Sequence, residues 1–164
     1  MTSETNLDHR SAIMKRLTLV AGTFMAMTTA AVAGGGALNA DGLRWGEVPP
    51  VFPKGAQLAV VSGDPGKDGL YVVRLRMPPG YKIPAHNHPT AEYVTVLSGN
   101  FHIGMGDRLD PNSGQELRAG GFAEAPAGMN HYAWAGSATV VQVHGQGPFA
   151  LTYVNAADDP SRAR

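Results

Sequence analysis

The chain has 164 residues, which is enough for one domain with a hydrophobic core. Lys plus Arg equals Asp plus Glu at 13 each, so the composition offers no basic stripe for nucleic acid and no charged patch for a membrane surface. The sequence contains no cysteine, which excludes disulfides and thiolate ligands. Any metal site must therefore use mainly histidine and carboxylate side chains.

The first predicted element is a leader peptide. From Met14 the sequence MKRLTLVAGTFMAMTTAAVA has a basic start, an uncharged apolar run and a small-residue end, which is the layout of a secretory signal peptide. We therefore predict a signal peptide over residues 1–33, cleavage near Ala33 and a periplasmic or secreted protein. Two alternatives stay open: the leader is retained as a membrane anchor, which its length allows, or translation starts at Met14 rather than Met1.

The remaining chain is predicted to form one β domain. Residues 34–42 (GGGALNADG) have the composition of a linker, residues 43–155 contain the domain, and residues 156–164 are predicted to be a flexible tail. Charged residues make up only 16% of the chain, while Gly (21) and Pro (12) are abundant. This composition favours short strands with tight turns over a helical bundle.

Short β-like runs follow one another through the domain. The run LYVVRLRM, residues 70–77, alternates, with Tyr71, Val73, Leu75 and Met77 on one face, which indicates a strand with one buried side. The run EYVTVLSGNFHIGMG, residues 92–106, is predicted to be a hairpin that turns at Gly99. Further strands are predicted within residues 56–63, 120–136, 138–145 and 149–155. Evenly spaced strands of this kind predict an all-β barrel or jelly roll.

The segment PAHNHPTAEYV carries three candidate metal ligands. His86 and His88 share the parity of an extended strand, and Glu92 shares it too if the bend between them preserves the alternation. In chain order, the sequence has Gly80, five residues, His86-x-His88, three residues, Glu92, six residues and Gly99. This spacing resembles the first signature motif of the cupin superfamily.

A second segment, GGFAEAPAGMNHYAW, resembles the second cupin motif. It contains Gly120, five residues, Pro126-x-Gly128, two residues and His131. One position departs from the pattern, because Ala135 stands where the motif commonly ends in asparagine. That asparagine is not among the usual metal ligands of the family, so the departure bears on the subfamily and not on the ligand set.

The resemblance implies a cupin β-barrel, also described as a double-stranded β-helix or jelly roll, which usually forms a homodimer. By position, the residues that would hold the metal are His86, His88, Glu92 and His131. It further implies one divalent transition metal ion per chain. Three imidazoles and one carboxylate can bind Fe, Mn, Zn, Ni or Cu, and these ligand types do not identify which metal is bound.

Three other polar residues are candidates for contacting the metal ligands or a substrate. Gln142 and His144 share parity within VVQVHG, and His102 follows the predicted turn at Gly99. We hypothesise that they face the barrel interior. The alternative is that all three are exterior polar residues on half-buried strands.

Fold alone does not determine function, because cupins include enzymes, binding proteins and sensors. The main hypothesis is an exported, metal-dependent enzyme, dioxygenase-like or an isomerase or lyase, that acts on a small molecule at open metal positions. The alternative is a non-catalytic periplasmic protein that binds a metal or small molecule, or a sensor. The segment VVQVHGQGPFALTYV resembles, more weakly, the cupin domains of ChrR-type regulators.

Overall fold

The computed structural model describes residues 36–162, and the predicted signal peptide with its cleavage site lies outside these residues. The described part contains 11 β-strands. Their bounds are Gly46–Glu47 (β1), Gln57–Ser62 (β2), Gly69–Met77 (β3), Lys82–Asn87 (β4), Glu92–Ser98 (β5), Asn100–Met105 (β6), Gln115–Arg118 (β7), Phe122–Ala125 (β8), His131–Ala135 (β9), Thr139–Gly147 (β10) and Thr152–Tyr153 (β11).

Three short 3-10 turns complete the described structure. One covers Ala40–Gly42, inside the segment predicted to be a linker. The other two cover Ala156–Asp158 and Pro160–Arg162, in the segment predicted to be a tail. None of the helical turns between residues 36 and 162 is long and apolar enough to cross a membrane.

The strands form two antiparallel sheets. One has six strands in the order β1-β2-β3-β10-β5-β8, and the other has five in the order β11-β4-β9-β6-β7. Strands that are consecutive in sequence often lie in different sheets, as in a jelly roll. The two sheets enclose the hydrophobic core, and the prediction of an all-β fold is confirmed.

The alternation predicted for β3 explains how its side chains are distributed. Tyr71, Val73, Leu75 and Met77 are buried and belong to the main core cluster. Arg76 lies on the opposite face, with its guanidinium 4.3 Å from the centre of the Trp45 ring. Burying each large apolar side chain contributes about 1.5–3 kcal/mol. The residues of one strand face therefore hold the strand against the core.

The predicted hairpin at residues 92–106 is wrong. β5 pairs with β10 and β8, whereas β6 pairs with β9 and β7, so the turn at Gly99 carries the chain from one sheet to the other. Gly99 has a φ of 78°, and a Cβ there would overlap the carbonyl of Ala138. The sequence SGN indicates a tight turn, but it does not tell which strands the turn connects.

β4 contains an irregularity that places the histidines. It pairs with β9 at Ile83↔Ala133 and again at His86↔His131, with a register shift between the two pairs. An extra residue in one strand reverses the parity of the side chains that follow it. Ile83, His86 and His88 consequently all line the same internal cavity.

Candidate metal centre

Three histidines meet in the interior between the sheets. His86 lies on β4, His88 directly follows β4, and His131 begins β9, where it is the cross-strand partner of His86. Their exposed fractions are 3%, 5% and 2%, and each offers one ring nitrogen within 4.8 Å of the others. Such a cluster of buried imidazoles can hold a divalent metal ion.

Hydrogen bonds fix which nitrogen of each ring points into the cluster. The Nδ1 atoms donate to backbone carbonyls, at 2.7 Å from His86 to Pro84, 2.7 Å from His88 to Ala150, and 3.0 Å from His131 to Met129. A ring with its proton on Nδ1 keeps a free electron pair on Nε2. Nε2 of both His88 and His131 is buried without a hydrogen-bond partner among residues 36–162. Buried acceptors of this kind fit a metal, because a metal would use the electron pairs that no protein group uses.

Glu92 reaches the cluster from the other sheet, as the first residue of β5. Its Oε1 lies 3.5 Å from Nε2 of His88, and its Oε2 lies 3.5 Å from Nε2 of His131. These are ion-pair distances and not well-formed hydrogen bonds. Neighbouring ligand atoms about 2.0–2.2 Å from one ion lie roughly 2.8–3.6 Å apart, from octahedral to tetrahedral geometry, so the spacing suits two groups that share an ion.

The electrostatics of the cluster favour a neutral His86 beside an ionised Glu92 carboxylate. Burial lowers the pKa of His86, and the facing His131 and His88 lower it further, to about 3. Burial raises the pKa of Glu92, but the three imidazoles outweigh this effect and lower its pKa to about 2. Burial also lowers the pKa of His131, yet Glu92 raises it by more, so the net shift is upward.

A backbone contact joins the two histidine-bearing segments. The N–H of Gly128 donates to the carbonyl of His88 at 2.8 Å. Gly128 has a φ of 73°, a conformation that other residues adopt only with strain. The turn at residues 126–128 thus fixes the segment before His131 against the segment that carries His88.

The cluster forms the polar end of an otherwise apolar cavity. The cavity volume is about 90 Å³, which is enough for several water molecules. Apolar residues form most of its wall, with aliphatic side chains from both sheets and aromatic rings beside the histidines. Phe149 stacks on Phe52 at 5.8 Å and lies 5.3 Å from the His88 ring. The site therefore combines a small polar centre with a largely apolar wall.

The hypothesis that His102, Gln142 and His144 face the interior is wrong. None of them lines the cavity. Gln142 accepts a hydrogen bond from Nε of Arg74 at 3.1 Å, on the outer face of β10. His144 stacks on Tyr93 at 5.1 Å, and His102 stacks on Trp134 at 4.6 Å.

The physical reason is the alternation of the strands themselves. In β10 the apolar Val141 and Val143 are buried in the core. In β6 the same is true of Phe101 and Ile103. The polar residues between these positions must leave the opposite face of the sheet.

Sequence reasoning missed Tyr71 as a site residue. It was placed correctly on the buried face of β3, where tyrosine is commonly a packing residue. In the structure Tyr71 lines the same cavity as the three histidines and Glu92. Its cross-strand neighbour on β10 is Gly145, which leaves room for the phenol ring. No motif marks this position, and only the strand pairing reveals it.

Comparison with known proteins agrees with this geometry. The Cupin domain family matches residues 73–144, from the middle of β3 into β10. These residues form a cupin domain. The match includes both segments that carry the histidines of this cupin. No curated protein matches its sequence.

Several solved structures share the architecture of this cupin. The polyketide cyclase RemF from Streptomyces resistomycificus aligns with a TM-score of 0.64 and 18% identity, over 77% of this chain and 90% of its own. An RmlC-like cupin from Shewanella frigidimarina gives 0.53 and 15%, over 66% and 87%. KdgF from a Halomonas species gives 0.51 and 22%, over 66% and 91%. At these identities the likeness establishes the fold.

Proposed function

We propose that this cupin is a metal-dependent enzyme, dioxygenase-like or an isomerase or lyase, which acts on a small molecule held inside the barrel. His86, His88, Glu92 and His131 would hold one divalent transition metal. The observation that carries the proposal is the set of Nδ1 bonds to backbone carbonyls, because they leave the Nε2 electron pairs turned into the cluster. Glu92 adds a carboxylate that the surrounding imidazoles keep ionised.

The donor set leaves coordination positions open for a ligand. Four protein ligands do not complete the shell of an octahedral ion, whereas a purely structural site is closed. When bound, the metal supplies a Lewis acid that stabilises negative charge on an oxygen-bearing ligand. The apolar walls of the cavity bury the body of the ligand and keep water from the polar end.

Turnover tests this proposal. The purified protein is loaded in turn with Fe²⁺, Mn²⁺, Zn²⁺, Ni²⁺ and Cu²⁺ and screened against phenolic and keto-acid compounds, following oxygen uptake and, under anaerobic conditions, substrate loss. We expect the wild-type protein to turn over a substrate. His131→Ala should abolish this turnover, and His144→Ala should retain it. The second variant is a matched control, because His144 lies outside the cavity.

A second candidate is a non-catalytic binding protein or sensor. The observation in its favour is that the cavity wall is largely apolar and excludes His102, Gln142 and His144. Such a protein would show saturable binding of metal and small molecule with no substrate consumed by any metal form. Binding without turnover across the screen would select this candidate over the enzyme.

Export and assembly are also proposals. We propose that the signal peptide directs the protein to the periplasm or the medium with cleavage near Ala33, on the basis of its basic, apolar and small-residue regions. Mass spectrometry of the secreted chain would give the mature N-terminus. We propose a homodimer from the resemblance to the family, to be tested by light scattering of the purified domain.

A further inference from the structure

Tyr71 differs from the other buried tyrosines of the described structure. The hydroxyls of Tyr81, Tyr132 and Tyr153 donate to the backbone carbonyls of Pro53, Asp110 and Val51. Tyr71 is only 3% exposed, but its hydroxyl makes no hydrogen bond within residues 36–162 and is not among the fully enclosed polar atoms there. Tyr71 also lines the cavity. Its hydroxyl is therefore open to the cavity and free to donate a hydrogen bond to a ligand.

The strand pairing shows where this hydroxyl lies. Tyr71 on β3 pairs with Gly145 on β10, which in turn pairs with Glu92 on β5. A Cβ at Gly145 would lie 3.0 Å from the Tyr71 hydroxyl oxygen, so the phenol extends across the glycine in the direction of Glu92. The hydroxyl therefore stands beside the histidine cluster without belonging to it.

Tyr71 is a hydrogen-bond donor at neutral pH. Burial raises its pKa, and the negative charge of Glu92 raises it further. The complementary group on a ligand is an acceptor oxygen. A divalent ion with three neutral imidazoles and one carboxylate has a formal charge of about +1, so an oxygen with a single negative charge would neutralise the centre.

The neighbouring rings indicate the shape of the ligand. Phe149 meets Tyr71 edge-on at 6.2 Å and lies at a tilt beside the His88 ring, 5.3 Å away. Flat apolar groups pack well against such rings. The rest of the wall is almost entirely apolar, which favours a ligand body with few polar atoms.

We propose that the cavity binds a planar, mainly apolar molecule with one enolate or phenolate oxygen, and that Tyr71 donates a hydrogen bond to that oxygen while Phe149 packs on the ring. Tyr71 is then a specificity-determining residue. This inference rests on the proposed metal site, since the same oxygen would be bound at the histidine cluster.

Tropolone is a suitable probe, because it is a small planar hydroxy-ketone with one ionisable oxygen. Its affinity for the Zn²⁺-loaded protein can be measured by calorimetry, with 2-methoxytropone as the matched compound that lacks the ionisable oxygen. Tyr71→Phe should weaken tropolone binding about tenfold, since a hydrogen bond to a charged group is lost. Zinc content and the affinity for 2-methoxytropone should not change.

Tyr132→Phe is the matched control, because its hydroxyl bonds to Asp110 and not to a ligand. It should keep the tropolone affinity and lower the melting temperature. Tyr71→Phe should leave the melting temperature unchanged or raise it, because no protein partner loses a bond. Gly145→Ala, which crowds the Tyr71 hydroxyl, should also weaken tropolone binding.

Two results would overturn the inference, and they are distinguishable. Equal tropolone affinity of wild type and Tyr71→Phe at equal zinc content would remove the role of Tyr71 and leave the metal site intact. A wild-type protein that binds no metal at all would overturn the inference together with the proposed function.

Discussion

The side chains of Asn87 and Asn130 join the two segments that carry the histidines. Nδ2 of Asn87 donates to Oδ1 of Asn130 at 2.7 Å, and Nδ2 of Asn130 donates to Oδ1 of Asp107 at 2.7 Å. The carboxylate accepts only, which fixes the orientation of both amides. Asn87 lies between the first two histidines, and Asn130 precedes the third. This amide pair holds the two strand ends of the proposed site in register.

Asn87→Ala should therefore weaken metal binding without abolishing it. Removing groups that support ligands typically costs about 10–100-fold in metal affinity, and we expect the low end because Asn87 does not touch the rings directly. Competition with a chromophoric chelator measures the change. Asn155→Ala is the control, since that side chain accepts a bond from the backbone of Ala157. Equal metal affinities of Asn87→Ala and wild type would show that the pair does not position the histidines.

Gly99 and Gly80 offer a matched test of the crossing between the sheets. Both have a positive φ, 78° and 77°, so alanine pays a similar conformational cost of about 1–2 kcal/mol at either position. A Cβ at Gly80 would meet no atom within 4 Å, whereas one at Gly99 would overlap the backbone of Ala138. Gly99→Ala should therefore destabilise the domain clearly more than Gly80→Ala in urea denaturation. Similar losses would mean that the crossing tolerates a side chain.

The metal-free protein should lose stability as the pH falls. Its His86 has a pKa lowered from 6.5 to about 3, so below pH 6.5 this residue binds a proton in the unfolded chain but not in the folded one. The free energy of unfolding therefore decreases as the pH falls. Glu92, with a pKa lowered from 4.5 to about 2, acts in the same direction below pH 4.5. The pKa of His131 is raised, so its contribution is complete below pH 6.5 and is lost as the pH rises through the folded value.

Urea titrations of the metal-free protein at about pH 7 and about pH 5 measure this dependence. His86→Asn should lose less stability than wild type over that interval, because it lacks the histidine whose pKa is lowered by folding. His144→Ala serves as the control and should follow wild type. A wild-type stability that rises towards pH 5 would mean that the His131 contribution outweighs that of His86.

The sequence predicted much of the site because its signals are local. The alternation in β3 correctly separated Tyr71 and Val73 from the arginines. The resemblance of the two motifs to the cupin signatures identified His86, His88 and His131, which meet in space. Strand parity and motif spacing depend on nearby residues, and this is why they could be read without the fold.

The route by which Glu92 reaches the cluster could not be read in this way. Parity placed it on the same strand face as His86 and His88, but it lies on β5 in the other sheet. The approach to the histidines is produced by the fold and not by alternation along one strand. The hairpin predicted at Gly99 was wrong for the same reason, since a turn sequence does not specify the partner strands.

The residues around the polar end were the least predictable. Parity correctly places Gln142 and His144 on one face of β10. Because Val141 and Val143 occupy the face that the core buries, the face with Gln142 and His144 points outward. Tyr71 is different, because its relation to Gly145 depends on a pairing between strands some 70 residues apart in sequence. Only the folded sheet brings them together.

Metal stoichiometry of the purified protein tests the central claim most directly. Elemental analysis should find about one transition metal ion per chain in wild type and in His144→Ala, and close to none in His86→Ala, with all three proteins folded by circular dichroism. The first two share the histidine cluster, and the third lacks one of its imidazoles. An unchanged metal content in His86→Ala, or a wild-type protein that takes up no metal, would contradict the assignment.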